Sequence, residues 1–410
     1  MKKLLLVLLI LSLFINHLNA NEKDLQIIQK DKKEYRLLDK ESIQTRQQSQ
    51  KYDWISPIDL SGNIGRNHSF SDENSRNLNN KNTKSASIGF TQSIFESGGI
   101  GFKMDYADNR FKYEMLSWEN QNSQLIYTIY NTLLDIKKLK LEINQNDYRI
   151  VNKDIELIIK KIQYEAGKTD IIELNNAIMS KNLILKEEIA LKNSLKEKEQ
   201  ELAKYTDLKY DEIEILDFQE TNKEIFLDKN YSILEADAKV EMLNSEYKIK
   251  KSQYLPKLSL SAKASYLNQD EKFNSMISDT NKDDATSSGS LILSMPLYDY
   301  TKSSKVQESK IEVLKQKALV NDLKNETAFE YEQIFTKIDT YLKQNETINK
   351  NIKLYEELIG ANQISSEAGM TSKYDLEILE NTKTINEFDI LINKINILQQ
   401  YAKLYFKIKN

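Results

Sequence analysis

Two hydrophobic patterns alternate along the chain. Near residues 58–64, 88–94, 258–266 and 291–297, apolar residues alternate with polar ones, which predicts β-strands with one apolar face. Between these stretches, apolar residues recur at intervals of seven through long runs that are almost free of Gly and Pro, which predicts long helices. The pattern therefore predicts two pairs of strands, each preceded and followed by helices.

The predicted strand pairs suit an outer-membrane β-barrel. Long polar loops, Asn67–Lys84 and Asn268–Ser288, join the two strands of each pair. The residues expected to face lipid are Ile88, Phe90, Ile94, Leu291, Leu293 and Leu297. An interfacial aromatic girdle is expected at Tyr52, Trp54, Phe95, Tyr298 and Tyr300. Because even the smallest barrels need about 8 strands, a chain with two strand pairs must oligomerise to close one.

The helix predicted over residues 104–166 carries two apolar stripes about 150° apart. One stripe consists of Ile129, Ile136, Ile143, Ile150, Leu157 and Tyr164, and the other of Tyr127, Leu134, Leu141, Tyr148, Ile155 and Ile162. Two opposed stripes predict neighbours on both sides, as in a layer or closed ring of helices. The second half has a narrower arrangement, with Tyr331, Ile338, Asn345, Ile352 and Ile359 beside Ile334, Tyr341, Ile348 and Tyr355. The heptads alone also fit an ordinary long coiled coil.

The chain is predicted to be an internal duplication. YEAGKTDIIEL (Tyr164–Leu174) and SEAGMTSKYDL (Ser366–Leu376) place Gly167 and Gly369 202 residues apart, and the second strands of the two pairs align at a shift of 203. We expect a first repeat over 21–204, a linker over 205–230 and a second repeat over 231–410. Each glycine break is expected to reverse the chain, because Gly adopts positive φ without steric cost.

The N-terminus predicts export. Lys2 and Lys3 precede an apolar run, Leu4–Ile15, that is too short to span a bilayer, and Leu18-Asn19-Ala20 offers a cleavage site. Residues 1–20 are therefore expected to be a signal peptide, with an uncleaved membrane anchor as the alternative. The net charge of −4 provides no basic field for nucleic acid, so no nucleic-acid partner is expected.

The sequence offers little catalytic or metal-binding chemistry. It has no Cys, which excludes disulfides and thiolate sites, and His68 is the one histidine outside the predicted signal peptide. The stretch from Asp279 to Ser290 starts like a calcium loop, but Asp284 replaces the required Gly and Ser290 replaces the required Glu. We expect no enzyme activity, no cofactor and no metal site.

Several motifs together resemble the TolC family of outer-membrane efflux and type I secretion channels. The motifs are YLPKLSL (Tyr254–Leu260), SIFESGG (Ser93–Gly99), MPLYD (Met295–Asp299), YEAG (Tyr164–Gly167) and EAG (Glu367–Gly369). The resemblance implies a mainly α fold with a small β part: a homotrimer whose outer-membrane β-barrel of twelve strands continues as a long coiled-coil α-helical barrel across the periplasm. It also implies outer-membrane lipid, a periplasmic adaptor and an inner-membrane pump of the RND or ABC type as partners.

The resemblance also assigns candidate site residues. Gly167, Thr169, Gly369 and Thr371 are expected in tip hairpins that dock the adaptor. Glu173 and Asp375, each six residues past a glycine, are candidates for the acidic entrance gate, with ordinary solvated helix faces as the alternative. The family's second acidic position is Asn176 in one half and Ile378 in the other, so a complete double ring of carboxylates is not expected.

The resulting hypothesis is a passive duct of a tripartite efflux or type I secretion system. The alternative from another class is a secreted structural coiled-coil protein without a pore. The sequence does not distinguish drugs, metals, peptides or proteins as cargo.

Overall fold

The computed structural model describes residues 25–69, 79–213, 218, 220–270, 282–367 and 372–409. The predicted signal peptide and two of the tip residues, Gly369 and Thr371, lie outside them. The described helices are α1 (Lys30–Tyr52), α2 (Gly99–Glu165), α3 (Ile171–Leu202), α4 (Lys223–Asp228), α5 (Tyr231–Ser252), α6 (Lys302–Glu367) and α7 (Lys373–Tyr405). The described strands are β1 (Asp59–Ser69), β2 (Asn79–Phe95), β3 (Lys257–Asp270) and β4 (Lys282–Ser294).

The fold is mostly helical with one small antiparallel sheet, as the sequence predicts. The chain divides into two compact units, each built from both halves of the sequence. One contains the residues up to Lys40 with Leu116–Leu234 and Asn321–Asn410, and the other contains Glu41–Met115 and Glu235–Val320. Among the described residues, no helix is both long enough and apolar enough to cross a bilayer.

The four strands form one sheet in the order β1-β2-β3-β4. Directly paired residues lie on the same face of a sheet, so the register shows which residues form the apolar face and which form the polar face. Leu60, Ile88 and Ala264 lie in one row and face one side. Their neighbours in sequence, Ser61, Ser87 and Ser265, lie in the adjacent row and face the other side. The predicted alternation is thus confirmed for the strands of both pairs.

Three details of the strand prediction are wrong. β2 begins at Asn79 and β4 at Lys282, so polar segments that the sequence assigned to loops are strand. The pairing of β2 with β3 shifts between Ser93 and Phe95, which leaves Ile94 in a bulge and pairs Phe95 with Leu258. β4 ends at Ser294, so Leu297, which the sequence assigned to the strand, lies beyond it.

Within the helical unit, cross-helix contacts give the order α3-α2-α7-α6. The pairs are Arg149–Glu187 and Lys160–Glu173 for α2–α3, Gln145–Asp389 and Asp135–Gln399 for α2–α7, and Asn345–Asn393 and Glu330–Lys403 for α6–α7. Helix α2 therefore has neighbours on both sides, which is what its two stripes predict. On α6, the stripe residues such as Ile334 and Ile338 are buried, and most positions between them are exposed.

The segment predicted as a linker, 205–230, contributes a residue to a hydrophobic core. Helix α4 lies within it, and its Phe226 is fully buried against Ile334, Ile338 and Leu404. Farther along, the backbone of Lys409 donates to the carbonyl of Lys229 at 2.8 Å. Apolar burial and backbone pairing thus fix this segment against α6 and the end of α7.

Candidate channel wall and tip hairpins

The polar face of the sheet is a wall of hydroxyl groups. Side-chain oxygens of neighbouring strands meet in pairs: Ser61 with Ser87 at 2.8 Å, Thr91 with Ser261 at 3.1 Å, and Ser265 with Thr286 at 2.8 Å. Such pairs satisfy one another and still offer lone pairs to water. The sequence carried a signal for this wall, because positions 259, 261 and 265 are Ser and position 263 is Lys, yet the site prediction included only the apolar face.

Near one end of this wall a single row carries opposite charges. Asp59, Gly89 and Lys263 are paired in register, so the carboxylate and the ammonium flank a residue without a side chain. A Cβ on Gly89 would lie 3.3 Å from Cβ and Cγ of Lys263, so the lysine stem lies over the glycine. Both charged side chains are exposed. This face suits water and polar solutes, whereas the opposite face suits lipid.

The apolar face carries most of the predicted lipid-facing residues. Ile88, Phe90, Leu291 and Leu293 all lie on it, because each occupies a row with Leu or Ala neighbours in the adjacent strands. Of the remaining two, Ile94 is the bulged residue and Leu297 follows the strand. The register therefore brings four of the six residues onto one face.

The turn from β2 into α2 is held by close contacts within the sheet unit. Ser97 has a positive φ of 50°, and its hydroxyl donates to the carbonyl of Pro256 at 2.7 Å. Gly99 follows so close to Ser252 that a Cβ would lie 2.9 Å from the Ser252 Oγ. Beside it, the buried Glu96 forms an ion pair with Lys103 at 3.0 Å. This junction therefore needs a small residue at position 99.

The first tip hairpin is a glycine-terminated helix end followed by a capped helix start. Gly167 has a φ of 65°, as predicted, and the next amide, of Lys168, donates to the carbonyl of Gln163 at 2.8 Å. Helix α3 then starts at a cap formed by Asp170, which accepts from the amide of Glu173 at 2.9 Å. Thr169 lies in this turn but is not the cap.

The two candidate gate residues occupy equivalent positions. Glu173 and Asp375 both lie in the first turn of their helices, three residues after the caps Asp170 and Ser372. An acidic residue there stabilises the helix N-terminus in any protein. Glu173 also forms an ion pair with Lys160 at 3.0 Å. The helix-start explanation thus applies equally to both residues, and Glu173 has the additional contact with α2.

Ion pairs follow the α2–α3 interface along its length. They are Lys160–Glu173, Asp154–Lys181, Arg149–Glu187 and Asp135–Lys198. The α2–α7 interface is different, because amide side chains bridge it: Gln145 donates to Asp389 at 2.7 Å, and Asn381 donates to Asn152 at 2.9 Å. Within the described residues, no group of three or more His, Asp or Glu side chains could hold a metal ion.

Comparison with known proteins finds a matching family model and solved structures with the same fold. Residues 224–403 match the family model of the outer membrane efflux proteins. No curated protein matches the chain.

Solved channel structures share the fold across both halves. The outer membrane protein VceC from Vibrio cholerae is 14% identical, with a TM-score of 0.70 over 93% of this chain and 94% of VceC. The Campylobacter jejuni CmeC outer membrane channel is 13% identical, with a TM-score of 0.70 over 92% of this chain and 84% of CmeC. The open state of the Neisseria gonorrhoeae MtrE outer membrane channel is 11% identical, with a TM-score of 0.67 over 94% of this chain and 87% of MtrE. The resemblance inferred from the sequence motifs is confirmed.

Proposed function

We propose that three copies of this chain form the outer-membrane exit duct of a tripartite efflux or type I secretion system. The observation that carries the proposal is the two-faced sheet, with an apolar face at Ile88 and a hydroxyl face at Ser87. Both faces extend to outer strands, β1 and β4, whose second edges have no partner among the described residues. A barrel wall between lipid and a water-filled lumen needs this combination. Three such sheets would supply the twelve strands that the family resemblance implies.

The helical unit supports the same assembly. Helices α3 and α6 lie at the two ends of the α3-α2-α7-α6 layer, so each has one neighbouring helix within it among the described contacts, α2 for α3 and α7 for α6. Two different edges that meet between copies generate a ring when the rotation from one copy to the next closes. At about 1.5 Å per residue, the 67 residues of α2 are roughly 100 Å long, a length that suits a tunnel through the periplasm better than a globular domain.

The internal duplication supplies the repeat within each copy. We propose repeats over 21–204 and 231–410 around the segment 205–230, so that the trimer has six related walls. Substrate would pass along the hydroxyl face of the barrel. The match to the outer membrane efflux family favours efflux over protein secretion, and the duct itself would be passive.

Adaptor and pump belong to the same proposal. The hairpins at Gly167 and Gly369, with Thr169 and Thr371, would dock a periplasmic adaptor, which connects the duct to an inner-membrane pump. Asp375 and Glu173 would face the entrance, and opening would require the helices after both glycines to move apart. The capped helix starts at Asp170 and Ser372 support defined hairpins at these positions.

A matched pair of variants tests the duct against a pore-free coiled-coil protein. Ile88→Lys places a charge on the lipid face, where it costs about 2–4 kcal/mol, whereas Ser87→Lys places the same charge on the hydroxyl face. We expect wild-type protein and Ser87→Lys in the outer membrane, both with discrete conductance steps in planar bilayers. Ile88→Lys should fail to insert. Equal behaviour of the two variants, or wild-type protein without conductance, would contradict the proposal.

A further inference from the structure

The two outer strands of the sheet each leave one edge unpaired. In the described part of the chain, β1 pairs only with β2, and β4 pairs only with β3. Four apolar residues on these strands, Leu60, Ile64, Leu291 and Leu293, are 64–79% exposed. A long free edge with exposed apolar side chains is a template for pairing with another chain.

The two strand pairs are copies of each other in register, so the shift of 203 that aligns their second strands in sequence sets a shift of 200 for their first strands. Leu60 pairs with Ile88 in β1–β2, and the residues 200 and 203 positions later, Leu260 and Leu291, pair with each other in β3–β4. Every pair of β1–β2 maps onto a pair of β3–β4 in this way. The offset is therefore 200 for the first strand of a repeat and 203 for the second.

The central pairing, between the two repeats, then predicts the pairing between two copies. Ile88 of β2 pairs with Ala264 of β3. The residue 203 positions after Ile88 is Leu291, and the residue 200 positions before Ala264 is Ile64. In the same way, Phe90–Ala262 maps onto Leu293–Gly62, and Gln92–Leu260 maps onto Met295–Leu60.

We propose that β4 of one copy pairs antiparallel with β1 of a second copy in this register, with Leu291 opposite Ile64. The inference rests on the proposed trimer and deepens it, because it states which residues meet. Leu291 and Ile64 both lie on the apolar face, so the register continues that face from one copy into the next. A slip by one residue would pair apolar with hydroxyl positions, which a two-faced sheet does not tolerate.

Among the described residues, no strand start packs against the turn after β4 as the start of β3 packs against the turn after β2. After β2, the turn rests on the start of β3 through the Ser97–Pro256 hydrogen bond, and Phe95 pairs with Leu258. The counterparts of Phe95 and Ser97 are Tyr298 and Tyr300, which are 86% and 88% exposed. The offsets place Tyr298 opposite Ile58 of the second copy, and Ile58 is also exposed here. The segment before β1 of the second copy would thus cover both tyrosines.

Cysteine cross-linking tests the register directly, because the chain contains no Cys. Opposite residues of an antiparallel pair have Cα atoms about 4.5–5.5 Å apart, which suits a disulfide. In detergent-extracted, oxidised protein, we expect Ile64→Cys/Leu291→Cys to run mainly as a covalent trimer on a non-reducing gel. Ile64→Cys/Ile292→Cys is the matched control: Ile292 lies on the hydroxyl face, so we expect at least a tenfold lower yield.

An intrachain double variant and the single Cys variants complete the experiment. Leu60→Cys/Ile88→Cys, which are paired within one chain, should cross-link without any increase in mass. Each single Cys variant should stay uncross-linked, because a covalent dimer would mean that identical edges meet. A trimer in light scattering without the Ile64–Leu291 cross-link, or with efficient cross-linking only in the Ile292 variant, would overturn the register and leave the duct intact. A monomer in light scattering would overturn the trimer itself.

Discussion

Asn345 of α6 accepts a hydrogen bond of 2.9 Å from the side chain of Asn393 of α7 inside an otherwise apolar stripe. Asn345 occupies the heptad position that Ile338 and Ile352 occupy one repeat before and after. A single polar residue at such a position fixes the register of two helices at some loss of stability. We conclude that this pair selects one alignment of α6 against α7.

Replacing one or both asparagines tests whether the two side chains contribute to stability as a coupled pair. Asn345→Ile alone leaves the buried Asn393 amide without its acceptor, so we expect the free energy of unfolding to fall by about 1–3 kcal/mol. Asn345→Ile/Asn393→Leu removes both polar groups and should recover that loss. Thermal unfolding of the two single variants and the double variant measures the coupling, and strictly additive effects would contradict the pairing.

Gly167 needs its positive φ and not its small size. A Cβ there would meet nothing within 4 Å, but the φ of 65° is unfavourable for other residues. We expect Gly167→Ala to destabilise the protein by about 1–2 kcal/mol. Gly360→Ala is the matched control, because Gly360 is an exposed helical residue with equal space and Ala favours the helix by up to about 1 kcal/mol. Urea unfolding that ranks the two variants in the opposite order would refute this explanation.

Glu330 makes the helical unit sensitive to acid. Burial alone would raise the pKa of Glu330, but hydrogen bonds and charge attraction from Lys403 and Lys407 outweigh it and hold the pKa below its ordinary value. A depressed folded-state pKa means that the stabilisation is complete above the ordinary carboxyl pKa of about 4.3 and is lost as the pH falls through the folded pKa.

Replacing Glu330 should therefore lower the free energy of unfolding most near neutral pH. We expect Glu330→Gln to lower the free energy of unfolding by about 1–2 kcal/mol at pH 7, with a difference that shrinks as the pH falls below about 4. Glu332→Gln is the control, because its pair with Lys223 is exposed and contributes little. Thermal unfolding across pH checks both variants, and a Glu330→Gln effect that is independent of pH would contradict the assignment.

The two gate candidates are expected to contribute unequally. Lys160 partly neutralises Glu173, whereas Asp375 is exposed and has no ion-pair partner among the described residues. We expect Asp375→Asn to reduce the cation preference of the channel more than Glu173→Gln does, as measured by reversal potentials in a salt gradient. If the double variant Glu173→Ala/Asp375→Ala keeps the wild-type conductance and cation preference, neither residue lines the entrance.

The sequence predicts the regular parts of the fold because local periodicity carries them. Leu60 and Leu260 lie on the predicted apolar face, and α2 contacts two different helices, α3 and α7, as its two stripes predict. The polar ends of the strands were missed, since residues such as Asn79 and Lys282 pair through backbone groups that leave no hydrophobic signal. Strand pairing from a neighbour overrides weak local propensity there.

The site is less predictable than the fold, because it depends on register. Ile94 looks equivalent to Ile88 in the sequence, yet a bulge moves Phe95 into the paired position. Thr169 and Asp170 are both possible caps by residue type, and only the turn geometry selects Asp170. The free edges of β1 and β4 have no local signature, since an unpaired edge is a property of the assembled sheet.

The mass of the detergent-extracted assembly tests the central claim most directly. Each chain of 410 residues supplies four strands and one layer of helices with two open ends, so the account predicts three chains in a closed ring. Native mass spectrometry of protein extracted from outer membranes should therefore give three times the mass of the mature chain, from the same sample that forms pores in planar bilayers. A monomer or dimer from that sample, without conductance, would contradict the account.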